Sequence, residues 1–121
     1  MSDLVDKAEA VAAKAYAPYS NYFVGAVVRT VDGREFSGVN VENAAYPLGV
    51  CAEKSAIVAA AVAGCRPGDL AAIGITASPC GGCRQWLAEW QVGEVTFRRE
   101  DGSIARWGAS ELLPDTWTLP T

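Results

Sequence analysis

Apolar and polar positions along this chain follow two periods, and the switches between them mark its elements. Leu4, Val5, Ala8, Val11, Ala12 and Ala15 recur near helical spacing. A first helix, capped by Ser2 or Asp3, is therefore expected to run to about Tyr16 and stop before Pro18. From Phe23 to Val31 the chain is Val- and Ala-rich, and Asp32-Gly33 is a two-residue hairpin signal leading into a return strand from Glu35 to Val41. Pro47 and Gly49 make 43–50 a loop. A second helix opens at Cys51, carries Ile57, Val58, Ala61 and Val62 as its apolar stripe, and ends at Gly64 and Arg66-Pro67-Gly68. Leu70 to Ala77 is nearly uncharged, as a buried strand would be, and a third helix runs from Cys80 to about Trp90. Glu94 to Arg99 and Ser103 to Trp107 read as strands joined at Asp101-Gly102, and Glu111 to Pro114 as a last helical turn. This order predicts a three-layer α/β/α sandwich around one sheet. Every connection is short, so residues 1–121 are expected to form one domain.

Composition narrows the function classes. Apolar residues make up 50% and charged residues 20% of the chain, which excludes intrinsic disorder. Ten basic and fourteen acidic residues give a net charge of −4 with no Lys/Arg cluster, so a nucleic-acid partner is not expected. No apolar run is long enough to span a membrane, and Met-Ser-Asp-Leu-Val-Asp-Lys lacks the features of a signal peptide. A cytoplasmic location is the expectation. The chain contains no histidine, which removes the commonest general base and the commonest metal ligand together.

The chemistry therefore falls to the four cysteines and their neighbours. Cys80 and Cys83, in Pro79-Cys80-Gly81-Gly82-Cys83, lie three apart where a loop enters a helix, a spacing that lets two thiolates share one ion. Cys51, in Cys51-Ala52-Glu53, can supply a third ligand. Three protein ligands leave an open coordination position, the catalytic rather than the structural pattern. Glu53 is offset by two residues from Cys51, close to the ion without ligating it, where a carboxylate can shuttle protons. Helix N-termini at Cys51 and Cys80, with Lys54 and Arg84, offset the excess thiolate charge. A redox pair or a four-thiolate structural site remain alternatives. The first leaves Cys51-Ala52-Glu53 unexplained; the second needs Cys65, about 20 Å away along the second helix. Cys65 reads instead as a small buried apolar residue.

A ligand-x-Glu followed by Pro-Cys-x-x-Cys resembles the zinc nucleobase-deaminase signature. Tyr19-Ser20 with Val24-Gly25-Ala26, Gly38 to Ala44, Cys51-Ala52-Glu53, Pro79 to Gln85 and Glu111 to Pro114 together resemble the small homotetrameric zinc-dependent cytidine deaminases, in family order over almost the whole chain. The resemblance implies a mixed sheet of about five strands and one zinc ion per chain held by Cys51, Cys80 and Cys83. It makes Glu53 the proton shuttle in hydrolytic deamination of a free cytosine nucleoside, within pyrimidine salvage. It places Asn40 and Glu42 on the ribose hydroxyls, Tyr22 against the pyrimidine, and Tyr46 and Ala52 in the nucleoside pocket. Lys54, Arg84 and Gln85 stand around the metal site, and Trp117 completes a neighbouring subunit's pocket in a homotetramer with shared active sites.

Four departures touch the pocket wall or the charge balance. Tyr22-Phe23 replaces a Phe-Pro, Lys54 replaces an arginine, the segment between Leu70 and Pro79 is shortened, and Trp117 replaces a phenylalanine. They leave open a runner-up, the deamination of an aminopyrimidine-nucleoside antibiotic such as blasticidin S, and a rival from another class, a non-catalytic zinc-binding module. Arg98 and Arg99 read as solvated strand residues. Trp86 and Trp90, with Val58, Ala61 and Val62, offer packing surface for assembly.

Overall fold

The computed structural model describes residues 2–120. Its elements are α1 (Ser2–Ala12), β1 (Gly25–Thr30), β2 (Glu35–Val39), α2 (Ala52–Val62), β3 (Leu70–Ile75), α3 (Gly81–Glu89), β4 (Glu94–Arg98), β5 (Ile104–Trp107) and α4 (Ala109–Leu112). The five strands form one mixed sheet in the order β2-β1-β3-β4-β5, parallel between β3 and β4 and antiparallel elsewhere. Both hairpin signals act as expected, because Gly33 and Gly102 take the positive φ values, 93° and 87°, that these turns require.

Strand alternation divides the core between two faces. Val27 and Ala72 meet Leu4 and Ala8 of α1 on one side. Ala26, Val28, Ile73, Ile75, Val95 and Phe97 meet Ala52, Ala56, Ile57 and Ala60 of α2 and Leu87 of α3 on the other. The expected three-layer α/β/α sandwich is thus present. Close approach depends on glycine at Gly38, where a Cβ would overlap the Ala56 amide nitrogen and the Ala52 carbonyl. That contact fixes α2, and with it Cys51 and Glu53, against the sheet.

Several boundaries differ from the sequence expectation. Helix α1 ends at Ala12 rather than near Tyr16, because the Tyr16 amide donates to the Asn40 carbonyl (3.0 Å) and Tyr16 bridges Val41. Asp3 lies inside the first turn and pairs with Arg29 of β1 (2.6 Å) instead of capping the helix. Strand β2 stops at Val39; Val41 pairs with Val50 and closes the 42–49 loop, which holds a 3-10 turn at Tyr46–Leu48. The last helix begins at Ala109, two residues before Glu111, with the Glu111 carboxylate accepting from the Gly108 amide (2.7 Å).

Candidate active site

Cys51 is the residue before α2 and Cys80 the residue before α3, so both thiols sit where free helix N–H groups favour negative charge. The Cys80 sulfur accepts from the Cys83 amide (3.4 Å), drawing the C-x2-C pair together. The Sγ atoms of Cys51, Cys80 and Cys83 all lie within 4.8 Å of one another. Cys65 is buried elsewhere, 3.7 Å from the Arg34 guanidinium, and takes no part in this cluster.

Cys51 and Cys83 do not ionise independently. A hydrogen bond from Cys83, helped by another from Cys80 and by the Lys54 charge, outweighs burial and lowers Cys51 to about 6. The same bond to Cys51, together with burial, pushes Cys83 upward. The Cys51 thiolate is therefore favoured and accepts a hydrogen bond from the Cys83 thiol. A soft divalent cation would replace the thiol protons and let all three sulfurs carry charge, so the donor set fits zinc with an open position.

Glu53, the second residue of α2, is 4% exposed. Burial, reinforced by the Cys51 charge, raises its carboxyl above the ordinary glutamate value. Glu53, Cys51, Ala52 and Cys80 share a cavity of about 430 Å³ with Tyr22, Val24 and Asn40, and with Thr76, Ala77 and Ser78. Its size suits a small molecule. Asn40 is firmly held: its Oδ1 accepts from the Val24 amide and its Nδ2 donates to the Tyr22 carbonyl, both at 2.8 Å.

Other residues singled out in the sequence are not among those that line this cavity. Glu42 receives the Tyr19 and Ser20 amides (3.0 and 3.1 Å) and the Ser20 hydroxyl. Those bonds, led by the hydroxyl, hold its carboxyl below the usual range. Tyr46 and Trp117 are 75% and 68% exposed. The Trp117 carbonyl accepts from Gln85 (3.2 Å), tying the C-terminal segment to α3 of its own chain. Arg84 donates to the Pro79 and Leu112 carbonyls and to the Ser78 hydroxyl, clamping the loop before Cys80 (2.9, 3.3 and 3.2 Å). The Lys54 ammonium stands over the Trp86 ring, 6.0 Å from its centre.

The cavity also has a wall that sequence reading missed. Arg98 and Arg99, expected to be solvated, line it together with Glu100. Arg98 is braced by Glu9 (2.7 Å) and the Gly102 carbonyl (2.8 Å). The signal was the short connection from β3 to α3. Parallel pairing sets the end of β4 beside that connection, and its five residues, 76–80, leave the end of β4 to form part of the wall.

The model of the cytidine and deoxycytidylate deaminase zinc-binding region matches residues 1–99. The chain belongs to this deaminase family. A cytidine deaminase of Halalkalibacterium halodurans is 40% identical over 120 residues, spanning 91% of this chain and 89% of that protein. The crystal structure of cytidine deaminase from Burkholderia pseudomallei superposes with a TM-score of 0.89 at 44% identity, over 95% of this chain and 97% of the other. That from Mycobacterium tuberculosis gives 0.82 at 35% identity, over 98% and 97%. Membership makes the chain a zinc-dependent hydrolytic deaminase, and Cys51, Cys80 and Cys83 can hold the ion.

Proposed function

We propose that this deaminase converts free cytidine or deoxycytidine and water into the corresponding uracil nucleoside and ammonia, with residues 1–121 acting as one catalytic domain. The observation that carries the reading is the three-thiol cluster beside the buried Glu53 carboxyl in one nucleoside-sized cavity. Cys51, Cys80 and Cys83 are the ligands of one ion. When bound, zinc supplies Lewis acidity that makes water nucleophilic near neutral pH.

Glu53 takes a proton from the attacking water and delivers it to N3 of the base. It then takes the proton of the new C4 hydroxyl and passes it to the amine, which leaves as ammonia as the C4–N bond breaks and the C4 carbonyl forms. Burial favours this role, because a desolvated carboxyl holds a proton long enough to return it. Asn40 uses one lone pair and one N–H within the protein, leaving the others for a ribose hydroxyl. Glu42 spends three of its acceptor sites on Tyr19 and Ser20 and retains one for the sugar. Tyr22 walls the base, and Ala52 also lines the pocket.

Tyr22, on the pocket wall, is 61% exposed, which supports completion by a second chain. Tyr46, Leu48 and Val50 project from one loop, and Val58 and Val62 from α2 beside Trp86 and Trp90, more apolar surface than a monomer usually leaves bare. These surfaces favour a homotetramer in which Tyr46 and Trp117 reach neighbouring sites. A place in pyrimidine salvage and a cytoplasmic setting suit a free-nucleoside substrate, and no described helix is long and apolar enough to cross a membrane. The relatives above are named for cytidine, which favours the unmodified nucleoside over an aminopyrimidine antibiotic.

The test is a deaminase assay of the zinc-loaded protein across cytidine, deoxycytidine and blasticidin S, with light scattering at the same concentration. Turnover of the first two by a tetramer is expected. Faster turnover of blasticidin S would reassign the substrate, and a fully active monomer would remove the shared site.

A further inference from the structure

We infer that Ser20 is a positioning residue for the nucleoside site, acting through Glu42 and Tyr22. Its hydroxyl sits at a junction. It donates to Glu42 Oε2 and accepts the Tyr22 amide at 3.0 Å. The amide of Ser20 itself donates to the other oxygen of the same carboxylate, beside the Tyr19 amide.

Each partner is anchored independently to the frame. The Glu42 amide donates to the Tyr16 carbonyl (2.8 Å), and the neighbouring Val41 is bonded in both directions to Val50 (2.9 Å). The Tyr22 carbonyl accepts from Asn40. Between these anchors the chain turns through Asn21 at φ 57°, a conformation that asparagine tolerates, with the Asn21 amide returning to the Ala17 carbonyl (3.0 Å). The peptide unit groups of Tyr22 are thus fixed on both sides, by Asn40 at its carbonyl and by Ser20 at its amide.

The consequence is specific to binding. The Tyr22 side chain is 61% exposed, so little packing holds it once the amide is released. Without the hydroxyl, the carboxylate of Glu42 keeps two amide donors but loses the contact that sets its second oxygen. Glu53 and the thiols stand on α2 and α3 or at the residues just before them, outside this network. The inference rests on the proposed roles of Glu42 and Tyr22 in holding the nucleoside.

The experiment compares Ser20→Ala and Ser20→Thr with the wild type, all zinc-loaded and full-length. Steady-state kinetics on cytidine and amide hydrogen exchange at Tyr22 are the two readouts. Ser20→Ala should raise KM about tenfold, the scale of one hydrogen bond to a charged group, with kcat within about twofold. Tyr22 exchange should accelerate in Ser20→Ala, and Ser20→Thr should restore both. Unchanged KM and exchange in Ser20→Ala would overturn the inference, as would a fall in kcat at constant KM. Exchange reports the latch whether or not cytidine turns over, so its failure and failure of the substrate reading are told apart.

Discussion

The Asn40 carboxamide donates to the Tyr22 carbonyl at 2.8 Å and so joins the strand-end loop that follows β2 to the segment that carries Tyr22 on the cavity wall. Its oxygen takes the Val24 amide, also at 2.8 Å, where β1 is about to begin. One planar amide therefore ties the pocket's aromatic wall to the start of β1, and its unused donor is the group proposed to meet the sugar. Asn40→Asp keeps the acceptor but loses the donor to Tyr22 and places an acceptor against a carbonyl. Its expected effect on cytidine turnover is a fall in kcat/KM of about ten- to a hundredfold, mostly in KM, with zinc content unchanged. Kinetics with metal analysis check it.

The cysteines divide by position. Cys80→Ala and Cys83→Ala should each lower zinc to well below one ion per chain and reduce stability, since metal binding is coupled to the folded arrangement of the thiols. Cys65→Ala should bind metal like the wild type, because its thiol lies outside the cluster. Metal analysis after dialysis reads all three, and full zinc in every variant would contradict the three-ligand site.

Gly38→Ala tests the link between sheet packing and chemistry. The added methyl would meet α2 backbone at Ala52 and Ala56, so the helix must shift. A loss of about 1–3 kcal/mol in unfolding free energy is expected from overpacking. Zinc affinity and turnover should fall with it, because the shifted helix carries Cys51 and Glu53. Denaturant titration with metal analysis distinguishes this from a change in stability alone.

Arg29 gathers acidic groups from two elements. It pairs with Asp3 of α1 (2.6 Å) and Glu35 of β2 (2.8 Å), and Lys7 also reaches Glu35 (2.8 Å). A hydrogen bond from Arg29 lowers the Asp3 carboxyl, while Lys7 first and Arg29 next lower Glu35. Folded-state values below the unfolded ones mean that this contribution is present above the unfolded carboxylate range, about pH 4. It is lost as pH falls through the lower folded values. Arg29→Ala should therefore lower the thermal midpoint near pH 7, and the gap from the wild type should narrow on acidification below about pH 4. An unchanged gap from pH 7 to pH 2 would contradict the ion-pair origin.

Much of this was legible from local signals. Asp32-Gly33 and Asp101-Gly102 fixed the hairpins because their glycines take backbone angles that other residues avoid. The thiol cluster was legible because a C-x2-C at a helix start leaves little geometric freedom. Features set by long-range pairing were not. Helix α1 stops early because Asn40, far along the chain, captures the Tyr16 amide. Arg98 to Glu100 reach the cavity only because β3 and β4 run parallel, which no local pattern of charges reveals. The direction of the Glu42 carboxylate likewise depends on a partner, Ser20, twenty-two residues away.

The role proposed for Glu53 is that of a buried carboxyl moving protons beside a three-thiol metal site. The most direct measurement is uridine and ammonia formation from cytidine by the wild type and by Glu53→Gln, each at a verified one zinc per chain. Equal amounts of the two products are expected from the wild type. A loss of about 10²–10⁴-fold or more in kcat is expected for Glu53→Gln, with metal content and thermal midpoint close to wild type. Near-normal turnover by a zinc-loaded Glu53→Gln protein, or none by a zinc-loaded wild type, would contradict that role.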